Sequence, residues 1–210
     1  LNTKALKVFF VYSIVLAAFA SLLILSLKYF KSADFYYNVI RVYIIVEFST
    51  LSLFFFYVVQ NQLIRKLILF SIFPFTVFCL ANYWASQKNF NVYPLLVEFI
   101  FFMIVVIYYL YEKMKTEVLR PLYQSIVFWI SVGLFIYFSG NFFYLIFIQS
   151  TTDKNVMNQL KIIYGIIAIC KDILLSLALL ANETISNDTE DLYIPEELHL
   201  DSFNPKSTLS

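Results

Sequence analysis

Six stretches of about 20 residues, near 6–27, 39–59, 67–86, 94–111, 125–148 and 162–181, are apolar around their whole circumference. A helix on the surface of a soluble core keeps an apolar stripe on a roughly 3.6-residue period and a polar face opposite it. These segments have no such polar face. A hydrocarbon core of roughly 30 Å takes about 20 apolar residues per helix. The expected fold is therefore all-α, an integral membrane bundle of about six transmembrane helices. The chain as a whole is too poor in polar surface to contradict this. It is 61% hydrophobic and 14% charged over 210 residues, with a mean hydropathy of +0.77. A soluble core could not be enclosed with that supply.

The segments are separated by charge and turn chemistry: Lys28 to Asn38, Asn61 to Lys66, Gln87 to Tyr93, Glu112 to Gln124 and Gln149 to Lys161. None of these breaks is long enough to hold a domain. Lys and Arg count eight on the side of the N-terminus, second loop, fourth loop and tail, and five on the other. The positive-inside rule then expects both ends in the cytoplasm. Leu1 stands where a Met would open a chain, and a further helix upstream would make seven, with the N-terminus outside and the C-terminus unchanged. Residues 182–210 carry seven acidic groups against Lys206, so an acidic, solvated cytoplasmic tail is expected after a bundle spanning 1–181. Two sequons, at Asn182 and Asn187, fall in that tail, where glycosylation would not reach them.

Several function classes lose their chemistry at once. His199 is the only histidine and Cys79 and Cys170 the only cysteines, so neither a two-His metal site nor a His-based triad can be assembled from one chain. No cofactor motif occurs and no basic patch calls for nucleic acid. The expected partners are the lipid bilayer and a cytoplasmic or membrane signalling protein that meets the acidic tail.

Ionisable side chains inside a span cost roughly 2.5–3.5 kcal/mol each on insertion scales, so each demands a counter-charge, a wet cavity or a function. They are Arg41, Glu47, Glu98, Lys171 and Asp172. With helices two, four and six running inward from the outer face, the three acidic groups would share the outer half of the bundle. Lys171 is the counter-ion expected for Glu47 or Glu98. Asp172 follows it by about 100° around the helix and should face a different partner. Arg41 lies near its helix end, where snorkelling serves a long cation.

The fifth segment holds Gly133, Ser139, Gly140 and Asn141 among bulky residues. Gly133 and Gly140, two turns apart, would admit a close helix, and Asn141 would need an interhelical partner or a pocket. Pro74 should bend the third segment, and Pro94 sits comfortably at the start of the fourth. An internal echo runs from Asn38-Val39 to Val46-Glu47-Phe48 and from Asn91-Val92 to Val97-Glu98-Phe99, with a weaker one at Asn155-Val156. It reads either as a repeated helix-pair unit or as coincidence in a sequence of narrow composition.

The run from Phe128-Trp129-Ile130-Ser131-Val132-Gly133 to Ser139-Gly140, with Tyr93-Pro94-Leu95-Leu96-Val97-Glu98 and Pro121-Leu122, resembles a group of uncharacterised bacterial multi-pass membrane proteins associated with two-component sensor kinases. That resemblance would cover most of residues 30–181 and implies a bacterial cytoplasmic membrane and a signalling role. It carries over no catalytic residue. The leading expectation is a sensory or accessory signalling component with a polar pocket in the outer half of the bundle, not an enzyme. A small proton-coupled transporter using the same carboxylates is the alternative, and a membrane-embedded lipid-modifying enzyme stands third.

Overall fold

The computed structural model describes residues 3–26, 29, 33–85, 91–116 and 125–180. Six helices follow one another: α1 (Thr3–Leu25), α2 (Ala33–Val58), α3 (Gln62–Ala85), α4 (Tyr93–Thr116), α5 (Ile126–Ser150) and α6 (Lys154–Leu180). Among the described residues there is no strand. Five of the helices, α1 to α5, are long and apolar enough to cross a membrane.

Several helices outrun the apolar segments that announced them. Helix α4 continues through Glu112, Lys113 and Lys115, and α6 begins at Lys154 rather than near 162. Charge marks the membrane boundary, not the helix end, because the backbone ladder persists into the headgroup region where these side chains are solvated.

Helix α2 is the hub, packing against α1, α3 and α4, while α4 packs on α5 and α5 on α6. Phenylalanines fill the space between them. Phe48 of α2 stacks on Phe75 of α3 at 3.8 Å between ring centroids and meets Phe102 of α4 at 5.2 Å. Phe102 in turn stacks on Phe138 of α5 at 5.2 Å. Offset rings of this kind give large buried area with fixed geometry, which a bundle needs when lipid is as apolar as its core.

The glycines of α5 do what their spacing implied. A Cβ on Gly133 would stand 3.4 Å from Leu174 Cβ, and one on Gly140 only 2.6 Å from Ile167 Cδ1, so α6 lies close against the glycine face. Helix α3 runs on through Pro74.

The α2–α3 turn is held from the far end of α4. Both carboxylate oxygens of Glu112 accept backbone amides there, from Gln60 at 2.8 Å and Asn61 at 2.9 Å. Asn61 itself caps α3, its Oδ1 accepting the amide of Leu63 at 2.9 Å. Leu63 is one of the orphan donors that open any helix, and Asn61 satisfies it, while the carboxylate holds the turn amides just before α3.

Candidate functional site

Tyrosines that belong to mid-span rather than to an interfacial belt build the site. Tyr12 lies nine residues into α1, Tyr43 ten into α2 and Tyr137 eleven into α5, about 15 Å from their helix starts at 1.5 Å per residue. Their hydroxyls converge on a carboxylate. Glu47, only 1% exposed, accepts a hydrogen bond from Tyr12 at 3.0 Å on Oε1 and a second from Tyr43. Tyr43 also reaches the hydroxyl of Tyr137. Lys171 Nζ stands 4.9 Å from the centroid of the Tyr137 ring, within electrostatic range of Glu47. A polar chain thus runs from α6 through α5 and α2 to α1, with Glu47 as its anion and Lys171 as its cation.

Glu98 is different. It is fully buried, it lies within electrostatic range of Glu47 and Cys79, and neither carboxylate oxygen hydrogen-bonds a described residue. Asn141, 3% exposed, is in the same condition at both its amide oxygen and nitrogen. The sequence spacing that pairs Glu47 with Glu98 has a structural counterpart, since Phe48 and Phe99, the residues that follow them, are also buried.

Next to this core a cavity of about 330 Å³ opens between the start of α2, the end of α3 and the start of α4. Its mouth is polar: Arg41 Nη1 donates to Asn38 Oδ1 at 3.2 Å, and Asn91 Nδ2 donates to Asn82 Oδ1 at 2.9 Å. Arg41 also lies over the Tyr83 ring, 4.4 Å from its centroid. Cys79 and Ile44, both buried, line it more deeply with Pro94, which sits one turn before Glu98. The echo in the sequence closes here, because Asn38 and Asn91, the residues that open its two copies, line the same cavity.

Of the residues singled out from sequence, Glu47, Lys171 and Arg41 therefore find described partners, though Arg41 belongs to the cavity mouth and not to the carboxylate core. Lys171 serves Glu47 through Tyr137 and space. The side chain of Asp172 lies outside the described residues, as do residues 181–210 of the acidic tail. Tyr12, Tyr43, Tyr137 and Asn82 were not foreseen, and Asn38 and Asn91 only as the opening of the echo. A mid-span tyrosine hydroxyl has the same need for a partner as any buried polar atom, and that need was the available signal. Among the described residues no three His, Cys, Asp or Glu side chains gather into a metal-binding group.

Fold and site together define a polytopic helical membrane bundle with a polar core. No family of known proteins, curated protein or solved structure matches the chain.

Proposed function

We propose that this chain is a membrane sensory or accessory signalling component, with the α2–α3–α4 cavity as the place where its ligand binds. The observation that carries the reading is the cavity's construction: a mouth of Arg41, Asn38, Asn82 and Asn91 over apolar walls of Val42, Ile44, Ile45 and Leu80. Concave sites with mainly apolar walls and a few placed polar groups are what small ligands use. Such a site suits an amphiphile with a compact anionic head for the guanidinium and an alkyl or aryl body. The positive-inside count favours an outward-facing position for this end of the bundle with the acidic tail inside, where a signalling partner would meet it.

The test uses the purified chain in nanodiscs, titrated with decanoate, with thermal unfolding and limited proteolysis of the tail as readouts. Binding should raise the unfolding midpoint and change the cleavage rate of residues 182–210, and Arg41→Gln should remove both effects while leaving the unliganded midpoint in place. Equal shifts from decanoate in wild type and Arg41→Gln, or none in either, would sink the reading. A midpoint shift with unchanged tail cleavage would keep the binding site and overturn the sensory role.

A small proton-coupled transporter is the second reading, favoured by Glu98, a fully buried carboxylate with no hydrogen-bond partner among the described residues. Decanoate uptake into proteoliposomes driven by a pH gradient is its test, and uptake equal to that of empty liposomes would dismiss it.

A further inference from the structure

Glu98 and Asn141 belong to two facing stripes. On α4 the buried residues Glu98, Phe102, Val105 and Tyr109 follow one another at four-, three- and four-residue steps. On α5 the buried residues Ile130, Leu134, Phe138 and Asn141 do the same at four, four and three. The register between the stripes is fixed by Phe138, whose ring lies 5.7 Å from that of Phe99 and 5.2 Å from that of Phe102. In an antiparallel pair, each step back along α4 matches a step forward along α5. One turn from the Phe102–Phe138 stack, Glu98 therefore comes level with Asn141.

Two such groups at one level, with all four polar atoms lacking a hydrogen-bond partner among the described residues, do not satisfy each other. Leaving them so is costly in a dry interior, more so for a carboxylate than for an amide. The charges nearby also fail to balance. Glu47 and Glu98 place two carboxylates in the core, and Lys171 is the one ammonium among the described residues near them. Glu47 has two tyrosine hydroxyls and the electrostatic help of Lys171, whereas Glu98 feels Glu47 as a like charge.

We infer that Glu98 and Asn141 ligate a monovalent alkali cation, sodium in the first instance, held between α4 and α5. Carboxylate and amide oxygens are the hard ligands such an ion takes, and a single positive charge is what the core lacks. A divalent ion would overcompensate that deficit and would want several carboxylates. The cavity provides a route, since Pro94 on its wall precedes Glu98 by one turn and Cys79 on the facing wall lies within electrostatic range of it. This inference stands whether or not the cavity binds an amphiphile, because it rests on Glu98, Asn141 and the charges of the core around them.

The experiment measures thermal unfolding of the purified chain in detergent at fixed pH and ionic strength, with sodium chloride replaced stepwise by choline chloride. Binding of radioactive sodium to the wild-type protein is followed in parallel. The midpoint should rise with the logarithm of sodium concentration, as a ligand that prefers the folded state requires. Asn141→Ala and Glu98→Gln should each abolish the sodium-dependent rise and the bound radioactivity, while Gly165→Ala, where nothing lies within 4 Å of the added methyl, keeps both. Glu98→Gln in choline should be at least as stable as wild type in choline, since the uncompensated charge is gone. A wild-type midpoint indifferent to sodium but dependent on pH would overturn the inference and mark Glu98 as a carboxyl that holds a proton instead. Retention of sodium binding in Asn141→Ala would overturn the assignment of the site.

Discussion

The hydroxyl of Tyr12 donates to Glu47 Oε1 across 3.0 Å, and this bond joins α1 to the polar core of the bundle. Helix α1 otherwise turns mostly exposed apolar side chains, such as Phe10, Val11, Ile14 and Leu22, away from its neighbours. An interhelical hydrogen bond in a membrane contributes roughly 0.6–2 kcal/mol. Tyr12→Phe should therefore lower stability by about that amount in a steric-trap or detergent-unfolding assay. In a double-mutant cycle with Glu47→Ala the two losses should fall short of additivity, because both variants break one bond.

Gly140 and Gly165 should respond oppositely to alanine. A methyl at Gly140 would meet Cδ1, Cγ1 and Cγ2 of Ile167 at 2.6–2.8 Å, and the last two are anchored on a β-branched side chain that cannot swing aside. Gly140→Ala should cost about 1–3 kcal/mol as overpacking, with Ile167→Ala restoring part of the loss. Nothing lies within 4 Å of a methyl at Gly165, so Gly165→Ala should be neutral or stabilise by up to about 1 kcal/mol through helix propensity. Unfolding midpoints of the three variants decide it.

Removal of the Glu112 carboxylate strands the amides of Gln60 and Asn61. Glu112→Ala should cost roughly 1–3 kcal/mol, and Glu112→Gln, which keeps one acceptor, about half of that. Hydrogen exchange should localise the change, with the amides of the α2–α3 turn exchanging faster while those of α5 stay protected.

Phe48 contacts rings on both sides, Phe75 on α3 and Phe101 and Phe102 on α4. Phe48→Ala should destabilise by about 3–5 kcal/mol by leaving a void between three helices, and Phe48→Leu by less. Equal unfolding midpoints for wild type and Phe48→Ala would show that the stack is not where the bundle's cohesion lies.

The membrane class, the helix order and the burial of Glu47, Glu98 and Lys171 were legible from sequence because each follows from cost: apolar length needs lipid, and a polar group within a span is kept from it. The helix ends were not, since Glu112, Lys113 and Lys115 are charged and helical at once. Nor was the choice of partner. Lys171 could answer either carboxylate by sequence, and only the relative rotation of α2, α5 and α6 brings Tyr43 and Tyr137 between it and Glu47. The echo around Asn38 and Asn91 was ambiguous for the same reason, because shared words in two segments say nothing about whether the segments face each other. In the folded chain their asparagines border one cavity and their glutamates one core.

Helix α4 is gripped at one end and borders the cavity at the other. From Glu98 to Glu112 is fourteen residues of unbroken helix, about 21 Å. Both oxygens at the Glu112 end are fastened to main chain rather than to mobile side chains, so little slack exists at that joint. A piston stroke or twist given to α4 where Pro94 borders the cavity would be delivered across the membrane to the turn that carries Arg65 and Lys66 just beyond it. In mechanical language, α4 is a rod clamped at its Glu112 end to the joint between α2 and α3.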